Sequence, residues 1–211
     1  QKYELSQIAI LTTIDKCDDA IYEEANNLNV ECFRGSKEDV LGRYYLSAKN
    51  MDVENIIRLT SDCPFIDVNE VERVLKIHMS NNNDYTTNSF ENSSIVDGMD
   101  VEVISFKALK SAYFEAALPS EREHVTFYFN NNKKFKVEKT DPKLKNEYIR
   151  LTLDTPDDFK CISKLINIIE DPLTINMIDI VFIYKTNKLN LINGNIQKNL
   201  GWISAFDKDK K

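Results

Sequence analysis

The sequence lacks a basic excess, a cysteine pair at metal-binding spacing and an apolar run of membrane-spanning length. Its 211 residues carry 27 Lys and Arg against 34 Asp and Glu, a formal net charge of -7. A face that neutralises nucleic-acid phosphates needs the opposite balance, so a nucleic-acid partner is not expected. Nucleotide binding stays open, because a few arginines or a divalent cation suffice for it. Cys17, Cys32, Cys63 and Cys161 show no Cys-x-x-Cys spacing, which points away from zinc and from a disulfide framework. They read as reduced core or near-core thiols of a cytoplasmic protein. The most apolar tail segment, 175–184, contains Asn176 and Asp179 and falls well short of the roughly 20 residues a membrane span needs. No signal-peptide pattern occurs, and no membrane association is expected.

What is present is an alternation of short apolar strands and amphipathic helices, long enough for one α/β domain over 1–211. Gln1 to Gln7 reads as the end of a polar helix, followed by a strand at 8–13. Cys17, Ile21, Ala25 and Leu28 then share a helical stripe, closed by Asn29 before a strand at 30–33, a βαβ unit. In the next turn Gly35 permits a tight bend and Ser36 can cap a helix that buries Val40, Leu41, Tyr44, Tyr45 and Ala48, with Arg43 beside that face. Past a helix carrying Val68, Val71, Leu75 and His78, where His78 reads as a core or boundary histidine, comes a short strand at 84–87. After a polar loop over 89–94, Val101 and Val103 alternate with Asp100 and Glu102, the pattern of a half-buried strand with a solvated acidic edge. Ser105 is placed to cap a helix presenting Phe106, Leu109, Tyr113 and Ala116. The Glu121-Arg122-Glu123-His124 cluster has the chemistry of capping acids with a surface ion pair. Thr155 as cap and Pro156 at the first helical position start a helix burying Phe159, Ile162, Ile166 and Ile169. One or two further helices and a polar tail with Leu200-Gly201-Trp202 complete the chain.

The stretch Asn55 to Asp67 organises the rest. It opens as a β-branched strand, breaks at Pro64 and leaves Asp62 in the turn. In open α/β sheets, ligands bind beyond the carboxyl ends of the strands. Asp62 stands in that position, although on spacing alone it serves equally well as a turn-capping residue. Asp154 stands in the same place, at the end of the strand before Thr155.

Arg58-Leu59-Thr60-Ser61-Asp62-Cys63-Pro64-Phe65-Ile66-Asp67 resembles the R-(I/L)-T-G-D-C-P-(F/L)-I-D block of spore-coat-polysaccharide type cytidylyltransferases, with Ser61 replacing the glycine. These are relatives of the acylneuraminate and Kdo cytidylyltransferases. Arg34 to Tyr45, before it and in family order, resembles R-G-S-x-x-D-V-L-x-R-(Y/F); after it, Asp97 to Val103 resembles P-D-G-(L/M)-D-V-E-V with Val96 for proline, Glu121 to Thr126 matches E-R-E-H-V-T with Phe127 where proline is common, and Arg150 to Asp158 resembles R-(W/L)-T-(V/L)-D-T-P-E-D. The resemblance implies an α/β, Rossmann-like three-layer nucleotidyltransferase fold of the GT-A kind, with a mixed, mostly parallel sheet. It implies a catalytic Mg²⁺ held by Asp62 and Asp154. It implies nucleotide contacts from Arg34, Gly35, Ser36, Asp39, Arg43, Arg58 and Thr60, and substrate contacts from Asp97, Gly98, Asp100, Glu102, Glu121, Arg122, His124 and Arg150.

The activity implied is transfer of a nucleoside monophosphate from CTP to an acidic sugar or related polyol, with release of pyrophosphate, for surface-polysaccharide synthesis. Related enzymes commonly dimerise, so a homodimer is among the implied partners. Family members begin with a strand and a Q-(A/G)-R-x-x-S-x-R-L-P-x-K triphosphate loop, and neither precedes Gln1. The expectation is a natural protein with a longer N-terminus, the alternative a truncated, inactive nucleotide- or sugar-binding paralogue. A metal-dependent glycosyltransferase fits less well, because Asp62 is followed by Cys63-Pro64 where such enzymes carry Asp-x-Asp.

Overall fold

The structure is a computed structural model that describes residues 8–90, 93–130, 132–142, 149–171, 175–196 and 209–210. The segments read above at 1–7, at 91–92 within the polar loop and at Leu200-Gly201-Trp202 lie outside the described residues. In chain order the elements are β1 (Ala9–Thr13), α1 (Asp19–Asn27), β2 (Glu31–Gly35), α2 (Val40–Asn50), β3 (Asn55–Arg58), α3 (Val68–Asn81), β4 (Tyr85–Thr87) and β5 (Glu102–Ser105). They continue with α4 (Phe106–Glu115), α5 (Pro119–His124), α6 (Phe127–Asn130), β6 (Val137–Lys139), α7 (Pro156–Ile168), α8 (Met177–Thr186) and α9 (Asn190–Asn193). Helices and strands alternate from β1 to β4, the pattern of an α/β fold.

The described residues fall into two compact units, one drawn from Gln1–Ile56, Ile104–Val137 and Asn199–Lys211, the other from Ile57–Val103 and Glu138–Lys198. In the first, β1 and β2 pair in parallel, Ala9 opposite Glu31 through to Thr13 opposite Gly35. Asn29, at φ 54°, ends the intervening helix in the left-handed region. The stripe expected on this helix is not buried as a stripe. Ala25 is covered completely, whereas Ile21 and Leu28 are exposed. Cys17 sits in a 3₁₀ turn at Lys16–Asp18, whose tighter period breaks the helical register. Helix α2 buries Leu41, Tyr45 and Ala48, and the Tyr45 ring stacks on Tyr113 of α4 at 4.2 Å between centroids. Asp39, not Ser36, caps α2, its carboxylate accepting from the Gly42 N–H at 2.8 Å. Ser36 lies before the helix and donates to Glu38.

The second unit has a core of Phe65, Met99, Ile149, Leu151, Cys161, Leu165, Ile180 and Tyr184, among others. Asp67 caps α3 at one carboxylate oxygen and accepts the Met177 N–H at the start of α8 with the other, at 2.9 Å. His78 is buried and bonded to Thr86, as a core histidine should be. The four other strands form a sheet in the order β3-β5-β4-β6. That order places β5 inside the sheet, and Val101, Val103 and Glu102 are all buried. The solvated acidic edge expected at 100–102 is absent, because the Glu102 carboxylate is covered and held by Arg58 and the Tyr85 hydroxyl. On α7 the buried face is Asp158, Cys161, Ile162 and Leu165, while Phe159 and Ile166 are exposed. Ile162 and Ile169 are buried as expected, and the rest of the stripe is rotated. Residues 150–153 form no regular strand; Arg150 makes an isolated parallel bridge with Asp97.

Candidate active site

The two aspartates singled out by position meet through the backbone. The Leu153 N–H donates to the Asp62 carbonyl at 2.8 Å, so Asp154 follows directly on the residue bonded to Asp62. Both are exposed. Thr60 and Cys63 close the turn beneath Asp62, the Cys63 N–H donating to the Thr60 carbonyl and the two side chains touching at 3.1 Å. Burial pushes the Cys63 thiol well above its ordinary pKa, which keeps it neutral beside the carboxylate. Oδ2 of Asp154 accepts from Arg150 at 2.6 Å and from the Thr152 hydroxyl at 3.2 Å. Its Oδ1 has no partner among the described residues.

Arg150 is the hub of this corner. Its guanidinium is buried and donates to Asp158 through Nε at 2.9 Å and Nη2 at 3.0 Å, to Asp97 through Nη1 at 3.2 Å, and to Asp154. These bonds direct Arg150 toward side chains of the protein. Gly98 makes the approach possible: at φ +99°, a Cβ there would stand 2.5 Å from the Leu151 carbonyl carbon and 2.6 Å from the Thr152 nitrogen. The bridge also places Leu151 N–H on the Asp97 carbonyl at 2.7 Å.

The remaining acids of the same block, Glu102 and Asp100, stand in contrasting surroundings. Glu102 pairs with Arg58 and accepts the Tyr85 hydroxyl at 2.5 Å. Burial, reinforced by the charges of Asp97 and Glu102, pushes the Asp100 carboxyl up to about 7.

The first unit carries the other two blocks. Arg34 closes β2 onto the turn after β1, donating to the Thr13 and Asp15 carbonyls at 2.8 and 2.9 Å and pairing with Asp19 at 2.7 Å. Arg122 pairs with Asp39 at 2.5 Å and donates to the Tyr113 carbonyl at 2.8 Å, so the Arg34–Tyr45 and Glu121–Thr126 blocks share an ion pair. Glu121 accepts the Ala117 and Leu118 N–H groups at 3.1 Å each, a capping role. His124 stacks on Phe127 at 4.6 Å. The next residue, Val125, is fully buried at φ 55°, ψ -57°, and the Thr126 N–H returns to the His124 carbonyl. That is a γ-turn of the strained hand, at a β-branched residue.

All six arginines lie among the described residues, and five are in ion pairs. Arg43 is the exception, with its Nε buried and unbonded and its stem where a Gly35 Cβ would come within 2.8 Å.

Three participants escaped the sequence reading. Gly42 lies inside a helix, where glycine costs roughly 1 kcal/mol against alanine. Its Cβ would fall 2.3 Å from Asp39 Oδ2, the oxygen that pairs with Arg122, and a glycine at that helical position was the available signal. Asp158, the third residue of the Thr155 capping box, was visible as a capping acid but not as the partner of Arg150. Asn193, which bonds Asp158 and the Arg150 carbonyl, carried no signal.

Among the described residues no three His, Cys, Asp or Glu gather as ligands for a metal. Asp62 and Asp154 nonetheless suit Mg²⁺, which takes one or two protein carboxylates and completes its octahedron with phosphate oxygens and water.

Residues 2–193 match the family model described as cytidylyltransferase. The chain is 36% identical over 199 residues to an uncharacterized protein of Methanocaldococcus jannaschii, covering 92% of this chain and 80% of that protein. It is 29% identical over 162 residues to the spore coat polysaccharide biosynthesis protein SpsF of Bacillus subtilis, covering 75% of this chain and 66% of that protein. A solved cytidylyltransferase from Leptospira borgpetersenii shares 30% identity at a TM-score of 0.83, over 90% of this chain and 80% of that one.

Proposed function

The chain belongs to the cytidylyltransferase family, and from that premise we propose that it transfers CMP from CTP to an acidic sugar or related polyol for surface-polysaccharide synthesis. The acceptor oxygen attacks the α-phosphorus, the α–β phosphoanhydride bond breaks, pyrophosphate leaves with the electron pair, and the acceptor proton passes to solvent. The observation that supports this is the Leu153-to-Asp62 backbone bond, which brings the chain at Asp154 next to the turn at Asp62, both residues being exposed. Mg²⁺ held there would neutralise phosphate charge and lower the pKa of the attacking hydroxyl. Among the described residues Arg43 has no ion pair, whereas Arg34, Arg58 and Arg122 pair with carboxylates.

The resemblance to a spore coat polysaccharide protein supports the glycan role. Placement in the cytoplasm, with CTP, and action as a homodimer complete the proposal. No described helix is long and apolar enough to cross a membrane.

A pyrophosphate-release screen tests it, pairing CTP, GTP, UTP and ATP with sugar acids and polyols in Mg²⁺ and in EDTA. Release with CTP and one acceptor class, abolished by EDTA, is the expected result. Release with another nucleotide but not with CTP would overturn the CTP assignment, and release only with neutral polyols would overturn the acidic sugar.

A further inference from the structure

Asp158 is fully buried, and its carboxylate accepts six hydrogen bonds. Oδ2 takes the backbone N–H groups of Asp154 at 3.2 Å and Thr155 at 3.0 Å, the Thr155 hydroxyl at 2.9 Å and Arg150 Nη2 at 3.0 Å. Oδ1 takes Arg150 Nε and Asn193 Nδ2, both at 2.9 Å. The same Arg150 Nη2 reaches Asp154 Oδ2 at 2.6 Å. Asp158 therefore grips Asp154 twice, at its backbone directly and at its carboxylate through the guanidinium.

Capping does not require this. Thr155 already caps α7, and an acid at the third position needs only the cap residue's N–H. Nor does stability by itself, because a buried ion cluster is often no better than well-packed apolar side chains. What the cluster adds is a fixed geometry and a charge imbalance, one guanidinium facing the carboxylates of Asp97, Asp154 and Asp158. Of the three, Asp154 is the one open to solvent, its side chain half exposed against 17% for Asp97 and none for Asp158.

We infer that Arg150 and Asp158 are positioning residues that hold the Asp154 carboxylate for a divalent cation, occupying Oδ2 and leaving Oδ1 to the metal. This rests on the reading of Asp154 as a metal ligand, and it assigns Arg150 to orienting that ligand instead of to contacting the sugar.

Calorimetric titration of the whole chain with Mn²⁺, well below its melting temperature, tests it. Arg150→Lys keeps the charge and removes the fork. Groups that orient metal ligands typically control affinity by about 10–100-fold, and a loss of that size is the expected result, with the fold intact by near-UV circular dichroism. Asn193→Ala, milder, removes one bond to Asp158 and is expected to weaken Mn²⁺ by roughly threefold; it decides the matter if Arg150→Lys does not fold. Unchanged Mn²⁺ affinity in the folded variants, with only a lower melting temperature, would overturn the inference and leave Arg150 a structural residue. Absence of Mn²⁺ binding by the unaltered chain would instead overturn the metal reading beneath it.

Discussion

Arg122 and Asp39, 83 residues apart in sequence, form an ion pair at 2.5 Å over the N-terminus of α2. One carboxylate thereby serves two partners, the Gly42 N–H through Oδ1 and the guanidinium through Oδ2. Neither side chain is buried, at 22% and 34% exposure, so the cap outweighs the ion pair.

Replacing Asp39 by Ala should cost about 1–2 kcal/mol, chiefly the lost cap, and Arg122→Ala about 0.5–1 kcal/mol. In a double-mutant cycle by urea denaturation the two should couple by roughly 0.5 kcal/mol. Strict additivity would show that the pair contributes nothing.

The turn at Val125 inverts the usual order of small side chains. Either truncation loses a buried valine, of order 1.5–3 kcal/mol, but only glycine also releases a positive-φ strain of about 1–3 kcal/mol. Val125→Gly should therefore be more stable than Val125→Ala by about 1 kcal/mol in thermal melts. The ordinary order, alanine above glycine, would mean that the turn relaxes in solution.

Asp100 makes the protein pH-sensitive in a defined direction. Its folded pKa, pushed up to about 7 from 3.8 by burial and by Asp97 and Glu102, lies above the unfolded value. Between these values the native state binds the proton and the unfolded chain does not, so stability falls as pH rises from about 4 through 7 and then levels. Asp100→Asn should remove this slope and stabilise the protein at pH 8 by up to a few kcal/mol, as read by denaturant titration at several pH values. An unchanged slope would show that Asp100 ionises freely.

Several of these features were legible in the sequence and others were not, for physical reasons. The Ser105 and Thr155 caps, the parallel β1–β2 pair and the buried His78 follow from local spacing, and the structure has them. The Ile21 and Phe159 stripes did not hold because periodicity gives one face of a helix but not which part of it meets a neighbour. The burial of Glu102 depended on its partners Arg58 and Tyr85, which come from other strands and which alternation within a single strand does not contain. At the candidate site, Asp62 and Asp154 could be picked out by position. The partners of Arg150 could not, since Asp97 and Asn193 reach it from 53 and 43 residues away. Cytidylyltransferase membership, expected from five sequence blocks, stands with the family match over 2–193.

The central claim, that Asp62 and Asp154 together form the metal-dependent nucleotide site, is tested most directly by calorimetric titration with CTP in Mg²⁺ and in EDTA. The unaltered chain is compared with Asp62→Asn and Asp154→Asn. The account predicts CTP binding that requires Mg²⁺ and is lost in both variants, with their folds intact by near-UV circular dichroism. Equal CTP affinity in all three proteins, or binding indifferent to Mg²⁺, would contradict it.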